Sequence, residues 1–139
     1  MAVRIYICIF AAEAVNICIK DALLTKELLM NYQIRMEKLQ VIDNIRQVGL
    51  ETLPPNSSLL LFGSQARGDA QEGSDWDLLI LLDKPRISLD DYNVGYPFRE
   101  LGWDLGEEIN PQVYSKNEWS KYSFTPFYKN VEHDKQVLL

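Results

Sequence analysis

The sequence predicts an α/β (α+β) domain in which helices pack on a small mixed β-sheet. Residues 59–62 form a short apolar run, and residues 75–83 contain a longer one, so both are predicted to be buried strands. Helical periodicity and helix-start signals alternate with these runs along the chain. The chain has 139 residues, 47% of them hydrophobic, which is enough for one core.

The N-terminal quarter of the chain differs from the rest. Residues 1–35 are rich in Ile, Cys and Leu and hold no site-like residues, so we expect an N-terminal extension, either helical or an artefact of start-site choice. Residues 36–139 are predicted to be the functional domain. The early apolar stretch is too short and too polar for a membrane span and matches a signal peptide poorly, which favours a cytoplasmic location.

The first half of this domain alternates helix and strand signals. A first helix is indicated by apolar residues at helical spacing, followed by a glycine as its predicted end: Leu39, Ile42, Ile45, Val48 and Gly49. Residues 54–57 are predicted to be a loop and residues 59–62 the first strand. Residues 64–67 would form a short helix, and residues 75–83 the second strand.

The second half begins with a helix-start signal at Ser88 and Asp91, after which helical residues continue to about Gly106. Pro97 is expected to kink or divide that stretch. Residues 108–114 are predicted to be a third strand, and Pro111 indicates an edge or a bulge. Two further helix starts are predicted, by Ser115 with Glu118 and by Thr125 with Pro126.

The net charge and the few cysteine and histidine residues limit the classes of function that the chain can have. A formal net charge of −6 argues against a nucleic-acid binder, which needs a basic face, but suits a nucleotide held through a metal. The only cysteines and histidine are Cys8, Cys18 and His133, and they offer neither a disulfide framework nor zinc-ligand spacing.

Gly63 and Ser64 stand where the first predicted strand meets a helix. A glycine there allows a sharp turn and the close approach of a ligand. Ser64 could cap the helix, whose free N–H groups favour an anion such as phosphate. The alternative is an ordinary strand–turn–helix with a capping serine.

Asp75 and Asp77 form the second part of the pattern. In a strand they share one face, roughly 7 Å apart, while Trp76 points to the other face. Two charges at that separation repel by about 2.4 kcal/mol at an effective dielectric constant near 20. A divalent cation turns this cost into a binding site. The alternative is a pair of solvated aspartates on an exposed strand face.

Together these residues spell Gly63-Ser64, ten residues, then Asp75-x-Asp77, with Arg67 and Ser74 between them. This pattern resembles the nucleotidyltransferase superfamily that includes DNA polymerase beta, and in its size the chain is most similar to the minimal nucleotidyltransferases (MNT). The resemblance covers about residues 36–125 in element order, and its specific part is residues 63–78. It implies a polymerase-beta-like nucleotidyltransferase fold.

The resemblance also implies a role for each matching residue. Gly63 and Ser64 would hold the phosphates of ATP or another nucleoside triphosphate, and Asp75 and Asp77 would bind one or two Mg²⁺ ions. The metals would polarise the α-phosphate and neutralise the leaving pyrophosphate. Arg67 would either neutralise phosphate charge or form a salt bridge to Asp69 or Asp75.

Members of the superfamily usually have a third carboxylate on the next strand, which helps to deprotonate the acceptor hydroxyl. At the expected position this chain has Gln112. Glu108 would share its face by strand alternation and is our predicted third catalytic carboxylate. Asp104 is a second option, within the preceding helical pattern, and Asp83 is expected to be a solvated strand end.

Three functions are compatible with this pattern. The first is a Mg²⁺-dependent nucleotidyltransferase acting on a protein hydroxyl, the second a small-molecule (aminoglycoside-type) enzyme, and the third a non-catalytic nucleotide-binding or partner-binding module. The resemblance points to a helical HEPN-type toxin as partner, with this chain as the antitoxin that adds AMP to it. The aromatic C-terminal end would supply either a docking face or core packing: Trp119, Tyr122, Phe124, Phe127 and Tyr128.

Overall fold

A computed structural model describes residues 19–139 of the chain, with side chains from residue 23 onward. Cys8, Cys18 and most of the predicted N-terminal extension therefore lie outside the described residues. The chain divides into two compact units, residues 1–39 and 40–139. Helix α1 comprises Ile19–Thr52.

Gly49 does not end the first helix, and that prediction was wrong. Helix α1 continues to Thr52. A Cβ atom on Gly49 would lie 2.6 Å from Cδ1 of Leu139 and 2.9 Å from Cδ2 of Leu59. The glycine therefore allows the helix to approach the sheet closely.

Four strands form one mixed sheet in the order β3-β2-β1-β4. Strand β1 (Ser58–Phe62) is antiparallel to both β2 (Trp76–Leu82) and β4 (Gln136–Val137), whereas β3 (Ile109–Ser115) is parallel to β2. Three strands are confirmed, and β4 was not predicted. Pro111 lies in the edge strand β3, as expected of a residue that cannot donate a ladder hydrogen bond.

The helices of the second unit begin at the signals that the sequence contains. They are α2 (Gly63–Arg67), a 3₁₀ helix (Leu89–Gly95), α3 (Tyr96–Leu105), α4 (Lys116–Lys121) and α5 (Pro126–Asp134). Ser88 and Asp91 form a reciprocal capping box, and Ser115 and Thr125 accept hydrogen bonds from the backbone of α4 and α5. Pro97 lies in the first turn of α3, so it separates the 3₁₀ helix from the α-helix.

The sheet is covered on both faces, which explains its continuous apolar strands. On one face, Leu61 and Ile80 belong to a core that includes Ile45 of α1 and Phe98 of α3. On the other face, strand residues join Trp119 of α4 and Val131 of α5: Leu60, Phe62, Leu79 and Leu81. We call these the first and second faces; by alternation Asp77 belongs to the second.

No helix within residues 19–139 combines the length and apolar character needed to cross a bilayer.

Candidate active site

The candidate site lies at one end of the sheet, where three strands bring their polar ends together. Because β1 is antiparallel to β2, the end of β1 meets the start of β2, and Phe62 pairs with Asp77. Because β3 is parallel to β2, its start lies at the same end, and Asn110 pairs with Asp77. The site is therefore produced by the strand directions.

Gly63 packs directly against the carboxylate of Asp77. Its φ angle is +74°, and a Cβ atom there would lie only 2.5 Å from Oδ2 of Asp77. A side chain would therefore both strain the backbone and displace the carboxylate. Helix α2 begins at Gly63, so Ser64 lies in its first turn, and no side chain caps the helix. The expectation that Ser64 is the cap was wrong.

Asp75 and Asp77 are both half-buried. Nδ2 of Asn110 donates a 3.1 Å hydrogen bond to Oδ2 of Asp75, which fixes that carboxylate. Burial raises the pKa of Asp77, the negative charge of Asp75 raises it further, and Arg67 partly offsets both. The repulsion expected between the two aspartates is therefore present.

Trp76 points away from this pair, as predicted, and is only 3% exposed in the first-face core. Its Nε1 donates a 3.0 Å hydrogen bond to Oε2 of Glu107. Its backbone N–H donates to the carbonyl of Glu108 at 2.8 Å. These bonds and the buried ring hold the strand that carries the two aspartates in place.

Arg67 binds two carboxylates. Its Nε donates to Oδ2 of Asp69 at 3.2 Å, and one terminal nitrogen donates to Oδ2 of Asp134 at 2.7 Å. The salt bridge to Asp69, one of the alternatives considered for Arg67, is present, whereas the one to Asp134, on α5, was not anticipated. The side chain is still 44% exposed, and a guanidinium has five N–H donors, so further donors are available to a ligand.

The residue of β3 that pairs with Asp77 is Asn110, which sequence reasoning missed. Glu108 is exposed immediately before β3. Within residues 19–139, no three His, Cys, Asp or Glu side chains gather as a metal-binding group, so Glu108 is not joined to Asp75 and Asp77 in one cluster. Gln112 lies beside Leu79 on the same face as Asn110, and Asp104 is exposed on α3.

A signal for Asn110 was present in the sequence. Residues 108, 110 and 112 are polar and alternate with apolar ones, so they share a face of β3. Pairing β3 with β2 in parallel would have placed Asn110 next to Asp77, whereas counting along the chain from Trp119 gave Gln112.

The donor chemistry of the site fits a hard divalent cation. Carboxylate and amide oxygens are the ligands that Mg²⁺ accepts, and the site offers Asp75, Asp77 and the amide of Asn110. Asp69 and Asp134, both bonded to Arg67, add two more negative charges against one guanidinium. A polyphosphate would be repelled here unless a cation accompanied it.

We compared the chain with known protein families and with curated proteins. A family model described as a nucleotidyltransferase domain matches residues 42–137, more than two thirds of the chain. The match begins within α1, ends at β4 and includes every residue of the site described above. No curated protein matches the chain significantly.

Proposed function

The chain belongs to the nucleotidyltransferase domain family and is a nucleotidyltransferase, and from that premise we propose that it transfers a nucleoside monophosphate from ATP or another triphosphate, with Mg²⁺, to a hydroxyl acceptor. The observation that carries the proposal is the half-buried pair Asp75 and Asp77, of which Asp77 lies directly against Gly63. Their mutual repulsion costs stability unless a cation joins them. We also propose that the protein acts in the cytoplasm.

Each residue of the site has a distinct proposed role. Asp75 and Asp77 would hold Mg²⁺, which when bound neutralises charge on the triphosphate and the leaving pyrophosphate. Asn110 orients the Asp75 carboxylate through its hydrogen bond. Gly63 and Ser64 leave room for the phosphates at the start of α2, and Arg67 directs its remaining N–H donors to them.

The acceptor hydroxyl has to lose a proton, and Asn110 cannot accept one. We retain Glu108 as the proposed base, because it is exposed two residues before Asn110, about 7 Å along the chain. Glu108→Gln should lower turnover while leaving triphosphate affinity unchanged. Glu100→Gln, at an exposed position on α3, is the matched control.

Binding and turnover should be tested separately, because turnover needs an acceptor. Titration calorimetry with each nucleoside triphosphate and Mg²⁺ measures binding by the full chain. Pyrophosphate release, with and without a candidate acceptor, measures transfer. Binding that persists unchanged in Asp75→Asn/Asp77→Asn would contradict the proposed site.

The proposed acceptor is a tyrosine or similar hydroxyl on a helical HEPN-type partner, to which this chain would act as antitoxin. The aromatic end divides between the two roles considered from the sequence. Trp119 is 4% exposed in the second-face core, and Phe127 packs on Phe62 with ring centroids 5.9 Å apart. Phe124 is 77% exposed and Tyr122 43%, so these two are left to support docking.

Co-expression with a candidate partner, followed by intact-mass analysis, tests this pairing. We expect the partner to co-purify and to gain one or more AMP masses with ATP and Mg²⁺. A partner that does neither would leave a small-molecule, aminoglycoside-type acceptor as the next to test.

Asn110 gives one reason to retain a second function, a non-catalytic nucleotide-binding or partner-binding module. The residue of β3 beside Asp77 is this neutral amide, so no third carboxylate pairs with the two aspartates there. Mg²⁺-dependent triphosphate binding without pyrophosphate release for any acceptor would favour that module.

A further inference from the structure

A recess lies on the second face of the sheet, towards the end of β3 that is opposite the aspartate pair. It has a volume of about 310 Å³ and is lined by tyrosines, two cations, an acid and one apolar residue: Tyr92, Tyr114, Tyr122, Arg86, Lys121, Glu118 and Ile87. Tyr114 lies four residues after Asn110 and on the same face, about 13 Å along the strand. The recess is therefore separate from the aspartate pair.

Three phenol groups converge in this recess. The rings of Tyr114 and Tyr122 meet edge to face with centroids 5.5 Å apart. Burial raises the pKa of Tyr114, and the negative charge that Tyr122 and Tyr92 carry when ionised raises it further. They offer ring surface and hydroxyl donors to one ligand.

The two cations give the recess a positive excess. Neither Arg86 nor Lys121 forms a salt bridge within residues 19–139. Oε2 of Glu118 already accepts hydrogen bonds from the backbone N–H of Ile87 at 3.2 Å and from Oγ of Ser115 at 3.0 Å. Two basic side chains therefore face one carboxylate, which lies within electrostatic range of Arg86, in a chain whose net charge is −6.

We propose that this recess binds a phosphorylated aromatic compound of mononucleotide size, with its phosphate between Arg86 and Lys121 and its ring against the tyrosines. The volume lies at the lower end of the range for small-ligand pockets, which suits a nucleoside monophosphate. Arg and Lys donate charge-assisted hydrogen bonds to phosphate, and tyrosine faces stack on nucleobases. No metal is needed, so this site does not depend on the proposed function.

The test is titration calorimetry of the full chain in EDTA, with AMP, adenosine and inorganic phosphate as separate probes. We expect AMP to bind more tightly than adenosine or inorganic phosphate alone. Arg86→Gln and Lys121→Gln should each weaken AMP binding about tenfold, because each removes a charge-assisted hydrogen bond to the phosphate. Arg99→Gln and Lys129→Gln change exposed cations elsewhere and should leave AMP binding as it is.

Two further variants locate the ring and separate the two sites. Tyr92→Leu, at a position 56% exposed, should weaken AMP and adenosine about fivefold and leave phosphate unaffected. Asp75→Asn/Asp77→Asn should keep AMP binding in EDTA even where Mg²⁺-dependent triphosphate binding is lost. Melting curves would confirm that all variants are folded.

Three results would overturn the proposal. The first is no AMP binding to the folded wild-type chain in EDTA at millimolar concentration. The second is AMP binding that the Arg86→Gln/Lys121→Gln double variant leaves unchanged. The third is AMP binding that disappears with the aspartate pair, since the ligand would then occupy the site at the other end of the sheet.

Discussion

The two ends of the second face have opposite chemistry, although the same strand reaches both. At one end Asn110 binds Asp75 beside Asp77, and carboxylates outnumber cations. At the other end Tyr114 lies with Arg86 and Lys121 in a recess with more cations than acids. The net charge of −6 therefore includes an acidic end, where the proposed phosphate binding needs a cation, and a more basic end, where the proposed ligand binds without one.

The two ends are also fixed by different contacts. At the acidic end, Gly63 is in direct contact with the Asp77 carboxylate. At the basic end, Nζ of Lys84 lies 2.7 Å from Oδ1 of Asp91, which also closes the capping box with Ser88. The acidic end thus depends on the close approach of Gly63 to Asp77, and the basic end on the ion pair between Lys84 and Asp91. Each point substitution discussed next at Gly63, Asp75, Asp77, Asp91 or Asn110 changes one end and leaves the other as its reference.

The largest effect is expected from Asp75→Asn and Asp77→Asn. Each should weaken Mg²⁺-dependent triphosphate binding at least about a hundredfold, because even residues that only orient metal ligands cost ten- to a hundredfold. Calorimetry measures this loss. Asp104→Asn, an exposed acid on α3, is the control and should bind normally.

Asp77→Asn should also raise the melting temperature of the metal-free chain at pH 7. The pKa of Asp77 is raised in the folded state by burial and by Asp75, so its charged form costs stability above that pKa. The cost disappears as the pH falls through the folded pKa and the group protonates. The gain from Asn should therefore shrink on acidification, and an equal gain at pH 3 would contradict this account.

The next pair of variants distinguishes the effect of backbone strain from the effect of the contact with Asp77 at the acidic end. Gly63→Ala and Gly68→Ala both place alanine at a positive φ, +74° and +86°, which costs about 1–2 kcal/mol of stability in each. Only the Gly63 variant meets Asp77, since a Cβ on Gly68 has nothing within 4 Å. Both should melt earlier, but only Gly63→Ala should lose Mg²⁺-dependent binding. Equal binding by both would show that the contact is unimportant.

Asn110→Asp should sharpen the contrast by adding a carboxylate to the acidic end. It removes the hydrogen bond to Asp75 and adds a like charge, so the metal-free chain should lose about 1 kcal/mol or more of stability at pH 7. Mg²⁺ affinity should rise, by about tenfold. Asn110→Ala removes the hydrogen bond without adding charge, and a matching rise in Mg²⁺ affinity there would argue against a charge effect.

A smaller effect is expected at the basic end from Asp91→Asn. The Lys84 hydrogen bond, with help from the Ser88 backbone, lowers the pKa of Asp91 to about 2. Its stabilisation is complete above the ordinary carboxyl pKa and is lost as the pH falls through about 2. The variant should melt earlier at pH 7, by an amount that shrinks towards pH 2. Asp90→Asn, at the exposed neighbouring position, should melt like wild type at both pH values.

The smallest effect is expected from removing the N-terminal extension. The side chains of Leu24, Leu28 and Met30 are each more than half exposed, and the matched domain begins only at residue 42. The free energy of unfolding of a chain starting at Met30 should be within about 0.5 kcal/mol of that of the full chain. Its affinity for triphosphate should be the same. A large fall in melting temperature would assign the extension a packing role.

Local signals predicted most of the fold. Strands β1 and β2 follow from apolar runs that both faces bury, β3 alternates polar and apolar residues, and three helix starts follow from capping residues. The remaining features depend on tertiary contacts. Strand β4 has only two residues and no periodicity to detect, and Gly49 matches a helix-stop rule although its neighbours are Leu59 and Leu139. Asn110 needed the pairing register of β3, which spacing along the chain does not give.

The contacts of α2 have a consequence for protein synthesis. Arg67 reaches Asp134, 67 residues later in the chain, and Nε2 of Gln136 donates to the carbonyl of Ala66 across 70 residues. Pairs so distant in sequence form late, because the loop between them has to close first. A nascent chain that has left the ribosome only as far as β3 already carries Gly63, Asp75, Asp77 and Asn110, yet still lacks Asp134 and Gln136, the two late partners of α2. We therefore expect nucleotide binding to begin only after α5 and β4 have emerged.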